Sequence, residues 1–267
     1  MKSKTKPIHL NTNKPSFLPQ AIHNLYCNHP KTYLFTDPLP DKKFPGLNRH
    51  HQTAAALIKK NFFKTNGSIV SIMGTMGSGK TAMLILLTQI LKIPFQAFYH
   101  QADKNRNGHK NIIKSWGNKQ ALPARQYENL KDLIKAITKA PSKSLILIDE
   151  WQFCSDTKVA IKEMNKLTFM VKKLKLRLVV SGLDFSFKRQ VWPNTKPLLK
   201  VSDLAIVLTS RCSQPKCSLP AFFPQLNINN QPASITDKLI NVGNVNMQYF
   251  PKCGRHHQLK EDNIKIV

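Results

Sequence analysis

The chain has 267 residues, with 41 Lys and Arg against 14 Asp and Glu, for a formal charge of +27. A hydrophobic content of 41% excludes a wholly disordered chain, and the length fits one full domain with additions or two small ones. The charge points either to an anionic partner, nucleic acid included, or to a lineage-wide preference for Lys. Its spread leaves both open, since residues 1–67 carry net +9 and residues 68–267 net +18.

No run of 18 apolar residues occurs, so no membrane-spanning helix is expected. The basic start, Met1 to Pro7, is not followed by the apolar core of a secretory signal. Five cysteines, an odd number with three gathered late, favour a cytoplasmic protein with metal ligands over a disulfide framework.

Residues 1–44, rich in Pro, Asn, His and Lys, read as irregular, and 1–66 as a basic, largely irregular extension. Within it, 50–64 has a helical apolar face made by Ala55, Leu57, Ile58, Phe62 and Phe63. Residues 68–73 read as a buried strand and 82–91 as a strong helix ended by Pro94. A second strand is expected at 95–99, a polar loop over 101–120 and a helix over 130–140. Strands at 144–148, 176–181 and 205–209 alternate with a helix at 158–173. Strands alternating with helices imply a parallel sheet covered on both faces, hence an α/β fold. The change of character near residue 210 marks a small second module over 210–258 after a core at 67–209, with 259–267 as a tail.

Three constellations carry chemistry. Gly74, Thr75, Met76, Gly77, Ser78, Gly79, Lys80 and Thr81 fit G-x-x-x-x-G-K-[ST], between a predicted strand and a predicted helix. In such a loop the glycines let backbone N–H groups turn toward phosphate oxygens. Lys80 reaches the β- and γ-phosphates of a nucleotide, and Thr81 offers a hydroxyl to Mg²⁺. Asp149 and Glu150 end an apolar strand where Mg²⁺ and a nucleophile are served in phosphate-loop proteins, and alternation along the strand lets them serve different groups. Cys212 and Cys217, with Cys253 and His256, pair at spacings that suit tetrahedral Zn²⁺ in a closed, structural site, with His257 an alternative to His256.

Taken in order, these motifs resemble the type II (zinc-containing) thymidine kinase family. The carrying residues are the loop 74–81, Ala121-Leu-Pro-Ala124, Ile148-Asp-Glu-Trp-Gln-Phe153, Gly182-Leu-Asp-Phe-Ser-Phe187, Val242-Gly243 through Tyr249, and the last Cys–His pair. The resemblance covers roughly residues 67–258. It implies a phosphate-loop α/β core with a zinc module and a closing loop, and transfer of the γ-phosphate of ATP to the 5′-hydroxyl of thymidine or deoxyuridine. By the same resemblance Glu150 is the catalytic base, and Asp103 keeps a place near Mg²⁺ although Asp103–Arg106 is one residue longer than the family's D-x-R. Met76, Phe153, Leu183 and Phe187 would wall the base, and Val242, Gly243 and Tyr249 would belong to the loop that closes over it. A homotetramer is also implied. The first cysteine pair is C-x₄-C where the family has C-x₂-C, and residues 1–66 have no counterpart in compact members. A nucleic-acid-bound ATPase and a degenerate kinase paralogue are the competing readings.

Overall fold

The computed structural model describes residues 7–10, 17–36, 49–65, 67–103, 111–115, 121–154, 157–239 and 246–260. Among the described residues four elements precede the strand that leads into the phosphate loop: β1 (Ile8–His9), α1 (Gln20–Tyr26), β2 (Thr32–Phe35) and α2 (Arg49–Lys64). Next come β3 (Ser68–Gly74), α3 (Lys80–Leu91), β4 (Phe95–His100), β5 (Ile112–Lys114), β6 (Ala121–Pro123), β7 (Arg125–Tyr127) and α4 (Leu130–Ile137). The core continues with β8 (Leu145–Asp149), α5 (Thr157–Lys173), β9 (Arg177–Gly182), α6 (Thr195–Val201) and β10 (Leu204–Leu208). Eight strands form one sheet in the order β1-β2-β10-β3-β9-β8-β4-β7. Every pairing in it is parallel except β1 with β2.

Alternation along the strands builds two cores. Ile69 and Met73 of β3, with Ile146 and Ile148 of β8, face a layer that includes Ile22 and Tyr26 of α1 and Leu167 and Val171 of α5. Val70 and Ile72, with Leu145 and Leu147, face the opposite layer, made by Ile58 and Phe62 of α2 and by α3. A central parallel strand buried on both faces has no solvent side to show, which is why β3, apart from Ser68 and Ser71, and β8 up to Asp149 are apolar on both faces. β3 is buried at all seven positions.

Two expectations are corrected. Residues 1–44 are not simply irregular, because β2 pairs with β10 and α1 packs into the core. Thr32–Phe35 is only four residues long, its antiparallel neighbour β1 has just two, and its parallel partner β10 lies more than 170 residues away, so no local pattern announces it. The stretch 101–120 is not all loop either, since Ile112–Lys114 pairs antiparallel with Ala121–Pro123.

After β10 the sheet gives way to small antiparallel pieces. β11 (Ser210–Arg211) pairs with β12 (Pro220–Ala221), and β13 (Phe223–Ile228) pairs with both β14 (Gln231–Pro232) and β15 (Met247–Lys252). Among the described residues no helix is long and apolar enough to cross a membrane.

Candidate functional site

The loop between β3 and α3 lies at the C-terminal edge of the sheet, where parallel α/β sheets bind ligands. Two of its glycines are demanded by backbone and space. Gly74 has φ 143°, and a Cβ there would lie 1.9 Å from the Leu208 carbonyl oxygen of β10. Gly79 has φ 83° and opens α3. The hydroxyls of Thr75 and Ser78 are buried with no hydrogen-bond partner among the described residues. Lys80 folds back so that its Nζ donates to the Thr75 carbonyl at 2.7 Å. Met76 is half-buried and Gly77 exposed, at the crest. Unpartnered hydroxyls, a helix N-terminus and a lysine on its own loop make a set of donors that suits phosphate oxygens.

Asp149, at the end of β8, is fully buried. The Thr81 hydroxyl donates to its Oδ2 at 2.9 Å, while the Ser181 hydroxyl and the Glu150 amide donate to Oδ1. Thr81 and Asp149 thus place two hard oxygen donors side by side, the donor type that Mg²⁺ takes. Glu150 sits in the left-handed region at φ 57°, an uncommon place for a side chain with a Cβ. Its carboxylate accepts from Gln152 Nε2, and Gln152 Oε1 accepts from the Leu183 amide at 2.9 Å. The turn is braced from behind by Asn194, whose Nδ2 donates to the carbonyls of Trp151 at 2.6 Å and Cys154 at 2.8 Å. Asp103 is buried in the turn after β4, at the same edge of the sheet; burial first and then the Asp103 charge raise the Tyr99 pKa.

The apolar candidates separate into two places. Phe153 lies against His100, with ring centroids 6.0 Å apart. Phe187 is buried with Leu226 and Ala233, and Met247 and Tyr249 of β15 pack on that cluster. Leu183 is half-buried and reaches the acidic turn through its amide. Val242 and Gly243 lie outside the described residues, as does Arg106. Between these places Asp184 is fully enclosed. Burial pushes its carboxyl up to about 6, against the pull of the Tyr26 hydroxyl and of nearby Lys80.

The late cysteines and His256 converge. Their four ligand atoms all lie within 4.8 Å of one another. Cys217 Sγ is 4.0 Å from Cys253 Sγ, and His256 Nδ1 is 3.3 Å from Cys253 Sγ and 3.7 Å from Cys212 Sγ. Tetrahedral Zn–S bonds of about 2.3 Å put sulfurs about 3.8 Å apart, so the residues fit zinc. Burial raises the Cys212 thiol, yet hydrogen bonds led by those of the Cys253 and Gln214 amides bring it down to about 7, toward the thiolate a metal needs. His257 is engaged elsewhere: Arg189 Nε donates to its Nδ1 at 3.0 Å, and its Nε2 faces the Pro224 carbonyl at 3.2 Å. The choice between the two histidines therefore falls on His256.

Sequence reasoning missed three participants. Ser181 ends a predicted strand, and Gln152 stands two residues after Glu150; position alone could have raised either. His51 comes from α2 and meets the phosphate loop at Ser78. No spacing rule connects it to that loop.

The family model for thymidine kinase matches residues 67–257. A thymidine kinase of Thermococcus kodakarensis is 29% identical over 199 residues, 73% of this chain and 96% of that protein. A thymidine kinase of Onion yellows phytoplasma is 28% identical over 204 residues, 75% of this chain and 91% of its own length. Among solved structures, the Thermotoga maritima RuvB Holliday junction branch migration motor aligns with a TM-score of 0.39 and 10% identity, over 61% of this chain and 45% of that one.

Proposed function

Because the chain belongs to the thymidine kinase family, we propose that it transfers the γ-phosphate of ATP to the 5′-hydroxyl of thymidine or deoxyuridine, yielding ADP and the nucleoside 5′-monophosphate. The observation that carries this reading is the meeting of Thr81 with Asp149, with Glu150 next in the chain, at one edge of the sheet. A phosphate loop, a cation donor pair and a candidate base are thereby gathered at one edge of the sheet.

In this reading Lys80 exchanges the Thr75 carbonyl for β- and γ-phosphate oxygens. Gly74 to Gly79 wrap those phosphates, and the hydroxyls of Thr75 and Ser78 gain partners. Thr81 and Asp149, with Asp103 nearby, would hold Mg²⁺, which when bound neutralises charge on the transferring phosphate. Glu150 takes the 5′-hydroxyl proton as that oxygen bonds to the γ-phosphorus and the bond to the ADP oxygen breaks. Gln152 orients the carboxylate and ties it to Leu183. Met76, Phe153, Leu183 and Phe187 wall the base, and Tyr249 supports the closing segment to which Val242 and Gly243 belong. Cys212, Cys217, Cys253 and His256 would hold a structural Zn²⁺ that fixes the end of that segment.

The test is phosphoryl transfer from ATP to a panel of nucleosides. Thymidine and deoxyuridine are expected to be phosphorylated and deoxycytidine is not. Glu150→Gln should lower kcat by about 10²- to 10⁴-fold, the range for loss of a general base. Absence of thymidine 5′-monophosphate, or a Glu150→Gln rate equal to wild type, overturns the reading.

A further inference from the structure

The residues before the family match contribute to the phosphate loop itself. α2 places the His51 ring, only 5% exposed, directly on residues 78 and 79. Its Nε2 lies 2.9 Å from the Ser78 carbonyl oxygen. A carbonyl only accepts, so Nε2 carries the proton and donates. The ring also fills the space over the next residue, because a Cβ on Gly79 would stand 2.2 Å from Nε2 and 2.9 Å from Cε1.

This bond has a directional consequence. In a trans peptide the carbonyl of one residue and the N–H of the next point to opposite sides. Holding the Ser78 oxygen toward His51 therefore turns the Gly79 N–H away from the ring. Backbone N–H groups of that loop are its phosphate donors. The anchor is firm, since Ala54, Ala55, Ile58 and Phe62 of the same helix are buried in the core. Beside it, His50 meets Phe35 of β2 edge-on, with centroids 5.8 Å apart.

We infer that His51 is a positioning residue for ATP, supplied by the segment before residue 67, which aims the Gly79 N–H at the phosphates. The inference rests on the kinase reading and deepens it. It is tested with three variants: His51→Phe keeps the ring volume without a donor, His51→Gln keeps a donor, and His51→Met is an acyclic substitute should the Phe variant fail to fold. KM is measured separately for ATP and for thymidine, with ATP affinity by calorimetry.

Loss of one neutral hydrogen bond should raise the KM and Kd for ATP about fivefold in His51→Phe or His51→Met. The KM for thymidine should stay within about twofold, and His51→Gln should recover most of the ATP affinity; a general loosening of the fold would move both substrates and would not be rescued. Equal ATP constants in wild type and the donorless variants, or parallel losses for both substrates, overturn the inference while leaving the kinase reading intact. A wild-type protein that binds no ATP overturns both.

Discussion

Tyr26→Phe isolates a contact between the segment before the phosphate loop and the site. The Tyr26 hydroxyl donates to Asp184 Oδ2 at 3.0 Å, and both side chains are buried. Asp184 Oδ1 is served by the Phe185 amide at 3.1 Å, so removing the hydroxyl strips one oxygen of the only partner drawn from outside its own loop among the described residues. Burial holds the Asp184 carboxyl at about 6, above the ordinary value near 3.9. A group whose folded pKa is raised contributes stability that is complete below the unfolded value and is lost as pH climbs through the folded one. The Tyr26 bond favours the charged form, so Tyr26→Phe lifts the folded pKa further. Near pH 5 the acid is mostly protonated in the folded protein, and the substitution removes a neutral hydrogen bond costing about 1 kcal/mol. Near pH 8 it removes a bond to a buried carboxylate, costing about 2–3 kcal/mol. Urea unfolding of both proteins at the two pH values reads the difference. In an Asp184→Asn background the pH dependence of the Tyr26→Phe cost should vanish. A cost that is the same at pH 5 and pH 8, or below about 0.5 kcal/mol at pH 8, refutes the assignment of Tyr26 as the partner of an ionising Asp184.

Two further predictions concern the metal cluster and the loop. Protein purified without added metal should carry about one Zn²⁺ per chain, and Cys217→Ser should lose it along with thermal stability; metal-free wild type with Cys212, Cys217 and Cys253 all freely alkylated in the native state would refute the site. Gly79→Ala should abolish ATP binding and lower Tm more than Gly77→Ala, at about 2–4 °C per kcal/mol for a chain of this size. Both glycines have positive φ, but a Cβ at Gly77 meets only the Ser210 hydroxyl at 3.3 Å, whereas at Gly79 it strikes His51. Equal Tm shifts and retained ATP affinity would show that the His51 ring yields.

The legible parts of this molecule are those whose reason is local. β3 announces itself as a short, mostly apolar run rich in β-branched residues, and the glycine spacing after it reports a backbone that must turn around an anion. Asp149 and Glu150 stand out because a carboxylate at the end of an apolar strand has no packing reason to be there. The cysteine pairs are visible through their spacing, although 35 residues between Cys217 and Cys253 hide how β13 and β15 close the cluster. What stayed hidden depends on partners far along the chain. β2 looks like part of a polar extension until β10 is set beside it. Tyr26 gives no sign of meeting Asp184, 158 residues away. The choice between His256 and His257 turned on Arg189, which occupies His257 from the loop after β9.

The composition points to function through its scarce side. Among the described residues five acids are buried: Glu163 lies within α5 and pairs with Lys166, whereas Asp103, Asp149, Glu150 and Asp184 each follow or end one of the adjacent strands β4, β8 and β9. Burying a carboxylate costs several kcal/mol unless partners repay it, so four at one edge are not a by-product of packing. Their partners are drawn from separate elements: Thr81 from α3, Ser181 from β9, Gln152 from the turn after β8 and Tyr26 from α1. The basic excess behaves differently. Lys80 is buried at the site, whereas Arg125, Lys135 and Lys139 line an open surface groove with Asp132. Exposed charge of that kind is screened within about 10 Å at ordinary salt, so it does not set the chemistry at the sheet edge. That groove belongs to the surface, and the four buried acids at the sheet edge belong to the site.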